Sequence, residues 1–163
     1  MVILFLSGVL AFTLSGCGGQ VEQLEILDSP SPGTSLSYVD ASKYDDDLNG
    51  LCKYMLDNQL VIGEPVEMSY KEIGAIGGFR YRFKFDGGTV QAEFYEFDMD
   101  NLDEKGNDCV NSVKEKGYFT VLGNDAPAYL NGKYMMIYTD SDKDEVNTAR
   151  KEEIEKVFSN FKN

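Results

Sequence analysis

Apolar and charged residues alternate strictly near the middle of the chain, between Phe79 and Phe85. Aromatic residues hold every second position, and Arg80, Arg82 and Lys84 hold the positions between them. A period of two predicts a strand with one face in the core and the other in water.

The next segment predicts a hairpin, because Asp-Gly-Gly-Thr at 86–89 has the residues of a tight turn. A two-residue Gly87-Gly88 loop sets Arg82 opposite Glu93 on the return strand. The basic residues of the first strand then form either an anion-binding stripe in an acidic protein or a solvated face with cross-strand ion pairs. Glu93 beside Arg82 favours the solvated face.

Three other segments have the patterns of helices. The first helix is predicted to start near Ser42, which Asp45 follows three residues later as in a helix cap. The middle helix is predicted from Asn101 to Lys116, with Gly117 as its stop. The apolar stripes of the first and last helices are Leu48, Leu51, Cys52 and Met55, and Ile154, Val157, Phe158 and Phe161.

The second half of the chain also contains strand patterns. Tyr118 to Leu122 predicts one strand, and Asn131-Gly132 predicts the turn of a hairpin that joins 126–130 to 133–138. The last of these strands is apolar on both faces, which predicts a central position in the sheet. Before the first hairpin, Ser69 to Ile76 predicts a short helical turn.

Together these elements predict a single α+β domain over residues 38–163. Its sheet is expected to be antiparallel, with about five strands and with helices packed on it. The expected order is helix, strand, strand, helix, strand, strand, strand, helix. A folded part of about 120 residues is long enough for one hydrophobic core.

The N-terminal segment has the pattern of a secretory signal. Val2 to Leu14 is apolar and uncharged, and it is too short for the roughly 20 residues of a membrane-spanning helix. The run Leu14-Ser15-Gly16-Cys17 ends it with small residues. We therefore expect a lipoprotein signal peptide at 1–16. A lipidated N-terminus and flexible linker, rich in Ser, Pro and Gly, is expected at 17–37.

Leu14-Ser15-Gly16-Cys17 resembles the lipobox of bacterial lipoproteins, in which a diacylglycerol is linked to the cysteine thiol and the peptide is cut just before it. The resemblance implies that Cys17 anchors the protein to the extracytoplasmic face of the cell membrane. Two acyl chains give stable anchoring, whereas one holds only marginally.

The remainder of the chain is similar to small uncharacterised lipoproteins of Gram-positive anaerobes. The similarity lies in Ile73-Gly74-Ala75-Ile76-Gly77-Gly78-Phe79, in Glu93-Phe94-Tyr95-Glu96-Phe97-Asp98 and in Asn131-Gly132-Lys133. These motifs are structural and imply no activity.

The net charge of −13 excludes nucleic-acid binding through an electrostatic footprint. It also predicts repulsion from an anionic membrane surface except where the lipid holds the chain. The absence of histidine removes the commonest general base and the imidazole ligands of zinc. The sequence has no Gly-rich phosphate-binding motif and no Gly-x-Ser-x-Gly motif, and Ser159-Asn160-Phe161-Lys162 fits Ser-x-x-Lys without the companion motifs. We therefore expect no cofactor and no enzymatic activity.

Two cysteines remain after Cys17, and both lie among apolar residues. Cys52 and Cys109 are an even number in a compartment that permits disulfides, but each also fits as a small buried hydrophobe. The sequence leaves the disulfide and the two separate thiols as open alternatives.

Asp140, Asp142 and Asp144 occupy positions one, three and five of a loop resembling that of an EF-hand. Position six is Glu145 instead of Gly, and position twelve is Lys151 instead of Glu. The three aspartates are therefore weak candidates for calcium ligands, and a cap on the last helix explains them with fewer assumptions.

The most favoured function is a non-enzymatic binding or interaction module of the cell envelope, with an envelope protein as its partner. It predicts an exposed aromatic patch around Tyr95 and Phe97. The alternatives are a carboxylate-dependent envelope hydrolase, with two carboxylates facing one another in a deep cleft, and a calcium-binding surface domain.

Overall fold

The structure is a computed structural model that describes residues 24–28, 38–121 and 123–162. The helices are α1 (Leu48–Asp57), α2 (Glu104–Lys116) and α3 (Glu145–Ser159). The strands are β1 (Ile26–Leu27), β2 (Val66–Glu67), β3 (Gly77–Phe85), β4 (Gly88–Glu96), β5 (Tyr118–Val121), β6 (Asn124–Pro127), β7 (Tyr129–Asn131) and β8 (Tyr134–Asp140). Short 3-10 turns lie at Ala41–Lys43 and Tyr70–Ile73.

The predicted α+β class is confirmed, with a main sheet in the order β1-β3-β4-β8-β7. Strand β2 also pairs with β3, and β5 and β6 form a separate two-stranded sheet. The main sheet is mixed, not purely antiparallel, because β1 runs parallel to β3. Strands β1, β2 and β6 are additions to the predicted order.

The register of the β3–β4 hairpin differs from the predicted one by two residues. The loop is Asp86-Gly87, with φ of 40° and 83°, and Glu93 lies opposite Arg80 and not opposite Arg82. Two positive φ values suit the tight hairpin turns for which Asp-Gly is a favoured pair. Gly88 stays in the strand, where an added Cβ would lie 2.2 Å from Asp140 Oδ1. A shift of two residues keeps every side chain on its predicted face.

The main sheet has helices on both sides, and each side has its own apolar cluster. Helices α1 and α3 pack on one face, called here the α1/α3 face, and α2 packs on the other, the α2 face. Residues of β4 alternate between them: Phe94 belongs to the first cluster and Tyr95 to the second. The predicted central position of β8 is confirmed, since Met135 and Met136 are both fully buried in different clusters.

The first two α-helices begin later than predicted, and an aspartate caps each. Asp47 Oδ1 accepts from Gly50 N at 2.7 Å, and Asp103 Oδ1 accepts from Gly106 N at 2.7 Å. The predicted start at Ser42 is a 3-10 turn, in which Asp40 accepts from the Ser42 backbone. Both predicted starts are therefore wrong by several residues, because nearby aspartates compete for the cap. The predicted stop at Gly117 is confirmed.

The predicted strand at 126–130 is divided between two sheets. Pro127 ends β6, and Ala128 N instead donates to Gly117 O at 3.0 Å. The predicted Asn131-Gly132 turn is displaced by one residue, since Asn131 pairs with Tyr134 across the loop. Asn131 stays in β7 because its buried side chain binds the end of α3.

Strand β1 lies within the predicted linker. Leu27 is buried in the core, and Lys84 N donates to Glu25 O at 2.8 Å. The lipobox at 14–17 and the Ser-Pro stretch at 29–35 fall outside the described residues. In the part that is described, no helix has the length and apolar character needed to cross a membrane.

Candidate functional site

A cavity of about 850 Å³ follows one flank of α2 and is called here the α2 groove. Its volume is within the range of ligand pockets. Residues of the Tyr70–Ile73 turn, of α2 and of β5 contribute to it. The lining residues are Glu72, Ile73, Lys105, Asp108, Cys109, Asn111, Ser112, Glu115, Lys116, Phe119, Thr120 and Val121.

The groove extends along the whole of α2. Lys105 lies in the first turn of the helix and Lys116 at its last residue, so the groove is about 17 Å long at 1.5 Å per residue. Lys105 Nζ lies 3.4 Å from Glu72 Oε2, which connects the helix to the preceding 3-10 turn. At the other end, Ser112 Oγ donates to Tyr118 O at 2.8 Å, which connects α2 to the start of β5.

Two glycines allow the 3-10 turn to lie directly against α2. Gly74 ends that turn with φ of 73°, and a Cβ there would lie 2.2 Å from Gly106 N in the first turn of the helix. Any larger residue at Gly74 pushes the turn away from α2. This close approach places Glu72 and Ile73 at the edge of the groove.

The base of the groove is apolar and its rim is charged. Cys109 and Phe119 are buried, and Val121 is partly exposed beside them. Burial raises the pKa of the Cys109 thiol to about 11. The thiol is therefore protonated at neutral pH, when it is a poor nucleophile and a poor metal ligand.

A buried polar network lies on the sheet near the base of the groove. Glu93 is buried, and its carboxylate accepts from Tyr95 Oη and from Gln91 Nε2, each at 2.7 Å. Burial is the main reason that the pKa of Tyr95 is raised, and the charge of Glu93 is the next. Cys109 raises the pKa of Tyr95 to a smaller extent. Tyr95 of this network and Cys109 of the groove belong to the same apolar cluster. Across the strand pair lies Arg80, whose buried Nε has no hydrogen-bond partner.

The predicted exposed aromatic patch around Tyr95 and Phe97 is wrong. Tyr95 is 6% exposed and Phe97 is 1% exposed. Both pack with the apolar side of α2, including Val110 and Val113. The patch required β4 to have one uncovered face, whereas α2 covers this part of the sheet. Among the residues that the structure describes, the large exposed hydrophobic ones are aliphatic instead: Ile26, Val66, Ile76, Met99, Val121 and Val146.

The structure has two separate buried thiols, not a disulfide between Cys52 and Cys109. Cys52 belongs to the cluster on the α1/α3 face and Cys109 to the cluster on the α2 face. The sheet lies between them, and a disulfide needs Cα atoms within about 7 Å. Burial raises the pKa of Cys52 to about 12, and a hydrogen bond from Tyr81 opposes that shift.

The three candidate calcium ligands bind backbone and amide groups of their own loop. Asp140 accepts from Asp142 N and Asn147 Nδ2, at 3.0 and 2.8 Å. Asp142 accepts from Lys143 N and Asp144 N, and Asp144 accepts from Asn147 N as the cap of α3. The helix-cap interpretation is confirmed. Within the described ranges, no group of three His, Cys, Asp or Glu residues is arranged to hold a metal ion.

Two carboxylates of the groove, Asp108 and Glu115, lie on the same flank of α2 and not on opposite walls. Asp108 and Glu115 are seven residues apart on α2, which is about 10 Å along the helix axis. Carboxyl pairs in glycosidases lie about 5 to 9.5 Å apart on either side of the bond they cleave. Both residues are exposed on the rim, and Glu72 pairs with Lys105.

Comparison of this chain with protein-family models, with curated proteins and with solved structures found no match. The groove was not predicted from the sequence, because one of its walls, the Tyr70–Ile73 turn, is distant along the chain from α2 and β5. The spacing of Lys105, Cys109, Ser112 and Lys116 does indicate a common helix flank. Only the folded chain places the 3-10 turn and β5 beside that flank.

Proposed function

We propose that this protein is held by a lipid at Cys17 on the extracytoplasmic face of the cell membrane and binds another envelope protein through the α2 groove. The anchor is supported by the lipobox-like run that ends at Cys17. The groove is the observation on which the binding function depends.

The dimensions of the groove suit an extended peptide segment. At about 3.3 Å per residue, a length of about 17 Å accommodates roughly five residues. The apolar base at Cys109 and Phe119 suits one or two hydrophobic side chains of such a segment. The charged rim then surrounds them, as polar rims surround the apolar centres of protein interfaces.

The chemistry of the lining supports binding over catalysis. Burial keeps the Cys109 thiol protonated at neutral pH. Glu72 is paired, and Asp108 and Glu115 project from an exposed helix flank. Such carboxylates keep contact with water, whereas a catalytic pair acts from a closed cleft on either side of the substrate.

The binding function can be tested by photo-crosslinking in intact cells. A photo-reactive amino acid at Asn111, which is exposed and lines the groove, should crosslink the lipidated protein to one dominant protein partner. The matched control is the same amino acid at Glu152, which is exposed on α3 at the other side of the sheet. Equal crosslinking at both positions, or none at Asn111, would overturn the binding proposal.

The proposed lipid anchor at Cys17 is tested separately from the binding function. Cys17→Ala should move the protein from the membrane fraction to the soluble extracytoplasmic fraction, because the acylated thiol is lost. A Cys17→Ala protein that stays in the membrane fraction contradicts the anchor. The Asn111 crosslink is scored separately, so that failure of one proposal does not conceal the other.

A further inference from the structure

Three basic side chains form a line on the α2 face of β3. Arg80, Arg82 and Lys84, called here the basic row, alternate with buried residues of the α1/α3 face. In the observed register, Gln91 lies opposite Arg82 and Thr89 opposite Lys84. The basic row therefore concentrates positive charge locally in a chain whose net charge is −13.

The acidic residue opposite Arg80 lies deeper than the exposed part of this line. Glu93 lies opposite Arg80, and both of its carboxylate oxygens accept hydrogen bonds from Tyr95 and Gln91. The carboxylate is buried, whereas Arg82 is exposed. An approaching anionic surface thus meets the basic side chains before it meets Glu93.

Exposed aliphatic side chains border the basic row at the edge of the sheet. Ile26 of β1 lies beside Lys84 and is 72% exposed. Val66 of β2 lies beside Arg80 and is 48% exposed. Basic and aliphatic side chains on one surface are the combination that binds the interface of an anionic bilayer.

The length of the chain places this edge close to the bilayer. Ile26 is nine residues after Cys17, and an extended chain spans at most about 3.6 Å per residue. The edge of the sheet at β1 therefore lies within about 32 Å of the lipidated residue. A short tether gives weakly attractive groups a high effective concentration at the surface.

We propose that the basic row docks the domain onto anionic lipid headgroups, with Ile26 and Val66 entering the interface. This inference rests on the proposed lipid anchor at Cys17. The anchor holds the chain at the membrane, and the basic row determines which side of the domain faces it. Because α2 packs on the same face of the sheet, docking also holds the α2 groove near the bilayer, where the exposed segment of a membrane protein lies within reach.

The test uses the full-length lipidated protein in vesicles that contain a nitroxide-labelled lipid as a fluorescence quencher. A fluorophore is attached at Thr139→Cys, which is exposed on the α2 face opposite Gln91, or at Glu152→Cys on the other side of the molecule. Cys52 and Cys109 are buried thiols with raised pKa, so brief labelling selects the introduced cysteine. The unsubstituted protein is the labelling control.

In vesicles that contain phosphatidylglycerol, we expect stronger quenching at Thr139→Cys than at Glu152→Cys. The difference should disappear in phosphatidylcholine vesicles and in high salt, which screens exposed charges. The variant with Arg82→Gln and Lys84→Gln should lower the ratio of docked to undocked molecules by about 25-fold, at about fivefold for each basic residue. Equal quenching at the two positions, or quenching that this variant leaves unchanged, would overturn the inference.

Two further variants separate a loss of docking from a loss of folding. Replacing Lys53 and Lys156, which are exposed on α1 and α3, by glutamine removes the same charge from the other side and should leave docking unchanged. Asp86→Asn keeps a residue that tolerates a positive φ in the turn and removes a negative charge near Lys84, so it should strengthen docking. The opposite results would contradict the inference.

Flotation of the vesicles distinguishes the two proposals. Protein that does not float with vesicles of either composition shows that the anchor, and with it the proposed function, has failed. Protein that floats but shows no preference for quenching at Thr139→Cys shows that only the docking inference is wrong.

Discussion

The buried side-chain amide of Asn131 donates to the backbone carbonyl of Phe161 at 2.7 Å. The same Nδ2 also donates to Phe158 O at 2.8 Å. Carbonyl groups at the end of a helix have no partner within the helix. Asn131, 30 residues before Phe161, supplies a hydrogen-bond donor to such carbonyl groups. It thereby joins the β7–β8 hairpin to the end of α3.

Asn131→Ala should lower the free energy of unfolding by about 1 to 3 kcal/mol, because the Phe161 carbonyl loses its side-chain donor, whereas the Phe158 carbonyl still accepts from Phe161 N. Asn131→Asp should cost more, since it turns a carboxylate toward those carbonyl oxygens. Urea unfolding followed by circular dichroism measures both. The matched control is Asn160→Ala, at an exposed position after α3, which should change stability by less than about 1 kcal/mol. Similar losses for Asn131→Ala and Asn160→Ala would contradict this account.

Gly74 and Gly117 offer a comparison of backbone strain with close packing. Both have positive φ, 73° and 77°, but a Cβ at Gly117 would meet nothing within 4 Å. Gly117→Ala should therefore cost about 1 kcal/mol for the left-handed conformation alone. Gly74→Ala should cost at least about 2 kcal/mol more, because the turn must move away from Gly106. Equal unfolding free energies for the two variants would show that the turn does not lie against α2.

Asp144 is expected to act as a helix cap and not as a calcium ligand. Its Oδ1 accepts from Asn147 N at 2.8 Å, so Asp144→Ala should cost about 1 kcal/mol and Asp144→Asn only a fraction of that. Addition of calcium should leave the melting temperature of the unsubstituted protein unchanged. A calcium-dependent rise in melting temperature that Asp144→Asn abolishes would instead support a cation site.

The buried thiol and phenol groups predict loss of stability in alkali. Burial raises the pKa of Cys52 from 9.0 to about 12, and burial also raises the pKa of Tyr81 and Tyr134 above 10.0. Above pH 9 the unfolded chain releases protons that the folded chain keeps. The free energy of unfolding is therefore unaffected by these groups below about pH 9 and falls between about pH 9 and pH 12.

Each group that titrates only in the unfolded chain lowers stability by about 1.4 kcal/mol per pH unit. Urea unfolding at a series of alkaline pH values measures the slope, and tyrosinate absorbance shows whether the phenols ionise together with unfolding. Tyr81→Phe removes one such group and should make the decline with pH less steep. Tyrosinate absorbance that rises fully while the protein is still folded would contradict the buried state of these side chains.

Local patterns in the sequence predicted the faces of the elements reliably. The period of two between Phe79 and Phe85 identified the buried face of β3, and the stripe from Ile154 to Phe161 is buried as predicted. Gly117 stops α2 because a glycine at the end of a helix accepts the left-handed conformation. These features depend on residues only a few positions apart, so their physical causes can be read along the chain.

Element ends and register were less predictable, because several residues compete for each role. Asp47 caps α1 and Asp103 caps α2, although other polar residues nearby are also suitable caps. The turn residues are Asp86-Gly87 because Gly88 must pass close to the carboxylate of Asp140, which is far away in sequence. A contact of that kind is decided only when β8 has paired with β4 of the hairpin.

The sequence by itself determined the α+β class, the buried faces of the strands and the apolar stripe of α3, since periodic burial is a local property. Only the tertiary structure decided that α2 covers Tyr95 and Phe97, that Cys52 and Cys109 lie on opposite sides of the sheet, and that a groove follows α2. Each of these depends on which face of the sheet a helix covers. That choice follows from contacts between segments distant in sequence, which no local pattern records.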